Sequence, residues 1–153
     1  ILHYMKAKVF LAKGDFDEAK KEIEKEESEF FSLYGKNFVY FDENNKQSTK
    51  ELFDEFLNKY SESDPANTAD LYAFRGNFEK SFEYLNKAFD IKDPVLIEAL
   101  SYPSFKPMYK DPRWKEIIKK IEWEVKLVKV NFELEVSLGE KQWELGYQFD
   151  EIP

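Results

Sequence analysis

The stretch ADLYAFRGNFEKSFEYLNKAFDIKDP, from Ala69 to Pro94, constrains the fold more than any other part of the chain. Ala69, Tyr72 and Ala73 share one helical stripe, Gly76-Asn77 interrupts it, and Phe78, Phe82, Leu85, Ala88 and Phe89 form a stripe on a second helix. Small residues at Ala69, Ser81 and Ala88 let two such helices approach closely, while the rings and the leucine fill the seam between them. A single hairpin of this kind cannot bury both of its faces, so the pattern predicts neighbours of the same build.

A copy lies upstream. Leu2, Met5, Ala7, Val9, Phe10 and Leu11 predict a helix that stops near Lys13-Gly14, with Asp15 as N-cap of the next one. That second helix is expected to carry Phe16, Ala19, Ile23 and later Phe30. The segments Gly14-Asp15-Phe16-Asp17-Glu18-Ala19 and Gly76-Asn77-Phe78-Glu79-Lys80-Ser81 repeat one order: Gly, polar, Phe, acid, charged, small. Gly14 and Gly76 stand 62 residues apart, near twice a roughly 34-residue helical repeat. A third unit is therefore expected between them, with Tyr34 to Phe41 as its first helix, a turn at Asn44-Asn45, and Ser48 to Tyr60 as its second. Asn is the commonest non-Gly residue in left-handed turn geometry. Thr49 stands where the small residue belongs and Phe56 where the alanine does.

These residues resemble tetratricopeptide repeats over roughly residues 2 to 94. The sequence departs from the family pattern at Lys6, where leucine is usual, at Glu26, where a small residue is usual, and at Pro65, which replaces a bulky aromatic and places the helix start near itself. The expected fold is mainly α: a tetratricopeptide-like α-α superhelix of three helical hairpins, about 1–29, 30–61 and 62–93, closed by a capping segment over 94–121. In that segment Pro103, Pro107 and Pro112 leave a short helix from about Val95 to Leu100 and an extended connector. Asp111-Pro112 then reads as N-cap and first residue of a helix bearing Trp114, Ile117, Ile118 and Ile121. The segment is similar to the one that follows the last repeat in a bacterial group of tetratricopeptide proteins, whose repeats often sit C-terminal to a winged-helix DNA-binding, adenylate-cyclase or protein-kinase domain. That resemblance implies a regulatory parent protein, and the opening Ile-Leu-His-Tyr, already inside a helical pattern, is expected to be an internal cut in it.

Residues 122–153 follow a different rule. Val128, Val130, Phe132, Leu134, Val136 and Leu138 alternate with polar residues, and alternation resumes at Trp143, Leu145, Tyr147 and Phe149 after Gly139-Glu140-Lys141-Gln142. Folding on that loop pairs Leu138 with Trp143, Val136 with Leu145, Leu134 with Tyr147 and Phe132 with Phe149, all apolar in one register. A C-terminal β-hairpin is expected, packed on the repeats or joining two copies as a homodimer through residues 124–150. A continued helix stays open, since Ile118, Ile121, Val125, Val128 and Phe132 also follow a heptad.

Several chemistries are excluded or reduced to structural roles. Cysteine is absent, which removes disulfides and thiolate metal sites and fits a reducing, cytoplasmic setting. No apolar run reaches the roughly 18 residues of a membrane span. The formal net charge of −8 argues against nucleic acid or an anionic membrane and in favour of a basic ligand. His3 is the only histidine, so a Ser-His-Asp arrangement has no other base to use. The acids from Asp15 to Glu29 are interleaved with Lys20, Lys21 and Lys25 at helical spacing, the pattern of a solvated face. Asp42-Glu43-Asn44-Asn45 lacks the Gly and the closing Glu of a calcium loop, and no Gly-rich phosphate loop occurs. No enzyme activity, metal or cofactor is expected. The first helix of each repeat lines the concave groove in tetratricopeptide proteins, and the resemblance therefore brings Lys8, Leu11, Tyr34, Phe38, Phe41, Asp70 and Phe74 toward a peptide-binding groove. Its rings would supply buried area and Asp70 would select a basic side chain. The alternative is an architectural, self-associating segment with no peptide ligand that spaces an N-terminal catalytic or DNA-binding domain.

Overall fold

Gly14 and Gly76, at φ +77° and +76°, end the first helix of their hairpins in the same way. The Gly14 amide donates to the Leu11 carbonyl and the Asp15 amide to the Phe10 carbonyl; Gly76 and Asn77 repeat both bonds onto Ala73 and Tyr72. These are the paired bonds of the Schellman turn, which satisfy carbonyls that a helix end leaves orphaned. The residue after each glycine then caps the next helix: Asp15 Oδ1 accepts from the Glu18 amide and Asn77 Oδ1 from the Lys80 amide, both at 3.2 Å. A third turn of this kind follows at Lys92, φ +57°, with bonds from Lys92 and Asp93 onto Phe89 and Ala88.

The computed structural model describes residues 1–41, 49–124 and 126. Its helices are α1 (Leu2–Ala12), α2 (Phe16–Ile23), α3 (Glu29–Val39), α4 (Lys50–Tyr60), α5 (Pro65–Phe74), α6 (Phe78–Asp90) and α7 (Leu96–Ala99), followed by a 3-10 helix over Pro103–Met108. Consecutive pairs α1/α2, α3/α4 and α5/α6 pack as hairpins; α1 and α2 both pack on α3, and α3 and α4 on α5. The expected turn at Asn44-Asn45 and the hairpin or continued helix from residue 127 onward lie outside the described residues. Among those described, no helix is long and apolar enough to cross a membrane.

Close approach within the outer hairpins rests on the small residues. Ala7, Ala19, Ala69, Ser81 and Ala88 are all buried, and the Ser81 hydroxyl donates to the Ala69 carbonyl at 2.9 Å across the α5/α6 seam. The middle hairpin is built from rings instead. Tyr34, 2 % exposed, lies 5.1 to 5.8 Å from the rings of Tyr4, Phe30, Phe38 and Phe56. Such pairs add about 0.5–1.5 kcal/mol each beyond the area they bury.

Three expectations need correction. Helix α3 begins at Glu29, five residues before Tyr34, because the Ser28 hydroxyl caps it by accepting from the Phe31 amide. Phe30 consequently belongs to α3, since α2 has already ended at Ile23. The expected extended connector is wound into the Pro103–Met108 3-10 helix; the φ that proline fixes near −65° also suits this tighter helix. Pro65, in contrast, stands at the first position of α5 as its sequence context implies.

Residues Ile1–Met108 form one compact unit, and the described residues from Tyr109 onward belong to a second. In the second, a helix spans residues 112–124. Asp111 opens it by accepting from the Arg113 amide and guanidinium at 2.8 to 3.0 Å, and the Tyr109 ring lies 4.8 Å from that of Trp114.

Gly35, inside α3, lies where side chains of α1 and α2 come close to the backbone. A Cβ there would sit 2.3 Å from Ile23 Cδ1 and 3.0 Å from both Ile23 Cγ1 and Tyr4 Cδ2. Helix propensity alone favours Ala over Gly by about 0.8–1.0 kcal/mol, while overpacking a core costs about 1–3 kcal/mol. Packing is expected to win. Gly35→Ala should lower the urea midpoint, and an unchanged or higher midpoint would show that α2 and α1 yield at this contact.

Candidate functional site

The first helices α1, α3 and α5 stand side by side and present their centres and C-terminal ends to one face. Lys8, Tyr34 and Asp70 occupy the centres; Leu11, Phe38 and Phe74 lie in the last turns, with Phe41 just beyond α3. These two layers have different chemistry.

The central layer is polar and closed. Asp70 is 3 % exposed, and its two carboxylate oxygens accept from the hydroxyls of Tyr34 and Ser104. Ser104 comes from the 3-10 helix, so one carboxylate joins α5, α3 and the segment after α7. Burial raises the Asp70 carboxyl above its ordinary value, against the opposing influence of the Ser104 and Tyr34 bonds and of Lys8. Burial and the nearby Asp70 likewise raise the Tyr34 phenol well above its ordinary range. The Lys8 ammonium lies 4.7 Å from the Tyr102 ring centroid and 5.4 Å from that of Tyr4. Tyr102 is pushed up to about 12, by burial first and then by Glu98. Asp70 is thus not an acid at the groove's edge. It is an internal joint with its acceptors already engaged.

The outer layer is aromatic and open. Phe38 and Phe74 lie 4.7 Å apart, Phe41 and Phe74 5.0 Å, and Phe38 continues inward to Tyr34 at 5.1 Å. Phe74 is 36 % exposed; Phe38 and Phe41 are half-buried. Arg75, the residue after α5, spreads its guanidinium 5.1 Å from the Phe41 centroid and 4.2 Å from that of Phe53. Its Nη2 donates to Asn37 Oδ1 and to the carbonyl and hydroxyl of Thr49 at 3.1 to 3.3 Å. Asn37 in turn donates from Nδ2 to the Leu33 and Leu52 carbonyls, at 3.0 and 3.1 Å. Burial lowers the Arg75 pKa. Arg75 is therefore a strut that holds Phe41 and Phe53 against the α3/α4 pair.

A model of the tetratricopeptide repeat matches residues 2–25 and again residues 66–93. The chain carries tetratricopeptide repeats. The matches cover α1/α2 and α5/α6, the hairpins with Schellman turns at glycine, and bracket the ring-packed α3/α4 pair. No curated protein and no solved structure matches the sequence.

The structure brings Tyr34, Phe38, Phe41 and Phe74 into one row of rings and sets Lys8 and Asp70 beside it, each engaged by the segment after α7. Leu11 is partly buried and packs against the core cluster that includes Tyr4, Ala7, Ile23 and Tyr34. His3 pairs through Nδ1 with Glu22 at 2.8 Å, a link between α1 and α2. Sequence reasoning missed Arg75, Tyr102 and Ser104. For Arg75 the available signal is a cation directly after Phe74 and one place before the turn glycine; for Tyr102 and Ser104 it is a Tyr-Pro-Ser step among the prolines of the expected connector.

Because its folded pKa is raised, Asp70 contributes stability that is complete below its ordinary value of 3.8 and is lost as pH rises through the folded value. Glu22 acts oppositely. Hydrogen bonds from Lys25 and then His3 pull it down to about 2, so its contribution is present above 4.5 and lost as pH falls through the folded value. Asp70→Asn removes the first term alone. Relative to wild type, the variant should gain in urea midpoint as pH rises from about 3.5 to about 7. A constant difference over that range would show that Asp70 holds its proton no more tightly in the folded chain.

Proposed function

We propose that this protein is a non-catalytic interaction module whose repeats bind an apolar or aromatic side chain of a peptide or protein segment against Phe38, Phe41 and Phe74. Tetratricopeptide repeats generally mediate protein–protein interaction, and stacked helical repeats offer concave faces for it. The observation that carries the reading is a row of three rings, each within 5.0 Å of the next, in which the exposed Phe74 at the end of α5 lies between Phe38 of α3 and Phe41 just beyond it. Rigid rings at a rim bury area on binding with little loss of freedom, the property that makes aromatic residues dominate binding energies. Asp70, internal and engaged, does not supply selection for a basic side chain at this rim. The net charge of −8 still favours a basic partner at long range. The reading extends to a regulatory parent in which a repeat domain over about 1–121 and an extension over 122–153 follow another domain. Its support is the resemblance of residues 94–121 to a closing segment.

Peptides selected on the intact chain from a random displayed library provide the test, with affinities read by fluorescence anisotropy. They should be rich in Phe, Leu, Trp or Met, and Phe74→Ala should weaken them by about 30-fold, the loss of one hot-spot ring, while the circular dichroism melt stays cooperative. Equal binding to wild type and Phe74→Ala would remove the ring row as the site and favour the architectural alternative.

A further inference from the structure

The outer face of α1 is apolar and uncovered. Met5 and Val9, one turn apart, are 55 % and 52 % exposed, with the exposed Leu2 in line before them. Met5, Val9 and Phe10 line an open cavity of about 420 Å³ that Lys6, Lys13 and Glu22 border. The turn glycines show what this face corresponds to. Aligning Gly14 with Gly76 sets Met5 on Asn67, Val9 on Leu71, Phe10 on Tyr72 and Lys13 on Arg75. On α5 those positions are covered by the preceding hairpin. Leu71 is fully buried in the cluster of Tyr34, Val39 and Phe56, and Asn67 is 5 % exposed. The Phe53 ring of α4 lies 5.2 Å from the Tyr72 ring and 4.2 Å from the Arg75 guanidinium, and Asp54 beside it acts on the Arg75 charge.

Charge selects what could cover the same face of α1. Lys13 is exposed, and its ammonium has no partner among the described residues. Glu22 is already engaged by His3 and Lys25. The cavity therefore offers a cation and no free carboxylate. We infer that the outer face of α1 is a docking surface for an acidic amphipathic helix of a partner protein, packed as α4 packs on α5. An aromatic residue of that helix takes the place of Phe53 and lies over Phe10 and Lys13. The acid that follows it pairs with the Lys13 ammonium, and apolar side chains one turn away cover Met5 and Val9. Contiguous exposed apolar residues rimmed by charge are the usual mark of such a surface. The net charge of −8 acts on approach from a distance, whereas the contact is set by the local cation.

The probe is a fluorescein-labelled peptide of the chain's own residues 49–61, which spans α4 and its cap, with anisotropy measured on the full chain. It should bind saturably, and Met5→Ser/Val9→Ser should weaken it at least about tenfold, the loss of an apolar anchor. Phe74→Ala should leave it unchanged. Lys13→Glu should weaken it by about threefold, the scale of an exposed ion pair, and a probe carrying Asp54→Lys should recover that loss. Absence of saturable binding, or equal binding to wild type and Met5→Ser/Val9→Ser, overturns the inference. A probe lost with Phe74→Ala instead belongs to the ring row; that result sinks the α1 surface and leaves the groove reading standing. Retained probe binding beside library peptides that ignore Phe74 does the reverse. Light scattering on the wild type tests the other occupant: a dimer that Met5→Ser/Val9→Ser dissolves puts a second copy on this face and overturns the partner helix. Met5, Val9 and Lys13 are all exposed, so cooperative melts are expected of the variants. Should the double variant unfold, the charge reversal at Lys13 and its recovery decide.

Discussion

A carboxylate inside a protein needs partners for its oxygens, because desolvation costs several kcal/mol when they are missing. Asp70 meets that requirement by drawing Tyr34 from α3 and Ser104 from the 3-10 helix onto the two oxygens of one side chain. The consequence is topological. Helix α5 cannot move relative to α3, nor the closing segment relative to either, without exposing an unsatisfied acceptor. The ring pile around Tyr34 supplies the apolar free energy, which is non-directional; the Asp70 bonds supply direction, fixing which turn of α3 faces which turn of α5.

The same division explains what could be read from the sequence. The outer hairpins were legible because their seams depend on a residue pattern with a local cause: glycine for positive φ, a polar cap after it, and small residues where backbones meet. In the middle hairpin Thr49 and Phe56 stand where the outer hairpins have small residues. Its geometry follows from Tyr34, Phe56 and Asn37, whose partners lie on other helices, and from a Ser28 cap that carried no signal against the acidic run before it. Sequence periodicity reports which side of a helix is apolar, not where capping begins, and the start of α3 was misplaced for that reason.

The candidate site divides along the same line. Phe38 and Phe74 lie in the last turns of first helices and Phe41 just beyond α3, places that spacing alone can indicate. Asp70 shares that spacing, yet its role inverted on folding. Spacing gives the face a residue occupies, while burial depends on what later segments lay over it. Here the covering comes from residues 102–104, more than thirty positions downstream. Among prolines the Tyr-Pro-Ser step carried no amphipathic pattern, and a single hydroxyl meeting a single carboxylate leaves no periodic trace.

Charge adds a further constraint on what the groove can hold. The chain as a whole is acidic, at −8, so a basic segment is attracted from a distance. That attraction acts over a Debye length of about 8 Å at physiological salt and sets encounter rather than fit. Among the described residues, cations lie against the rings: Arg75 beside Phe41 and Phe53, and Lys8 beside Tyr102. A lysine or arginine arriving among Phe38, Phe41 and Phe74 would meet Arg75 with the Asp70 carboxylate still enclosed. On the proposed reading, contact favours an apolar side chain at the rings, with any basic residues of a ligand lying outside them, toward the acids of the solvated faces.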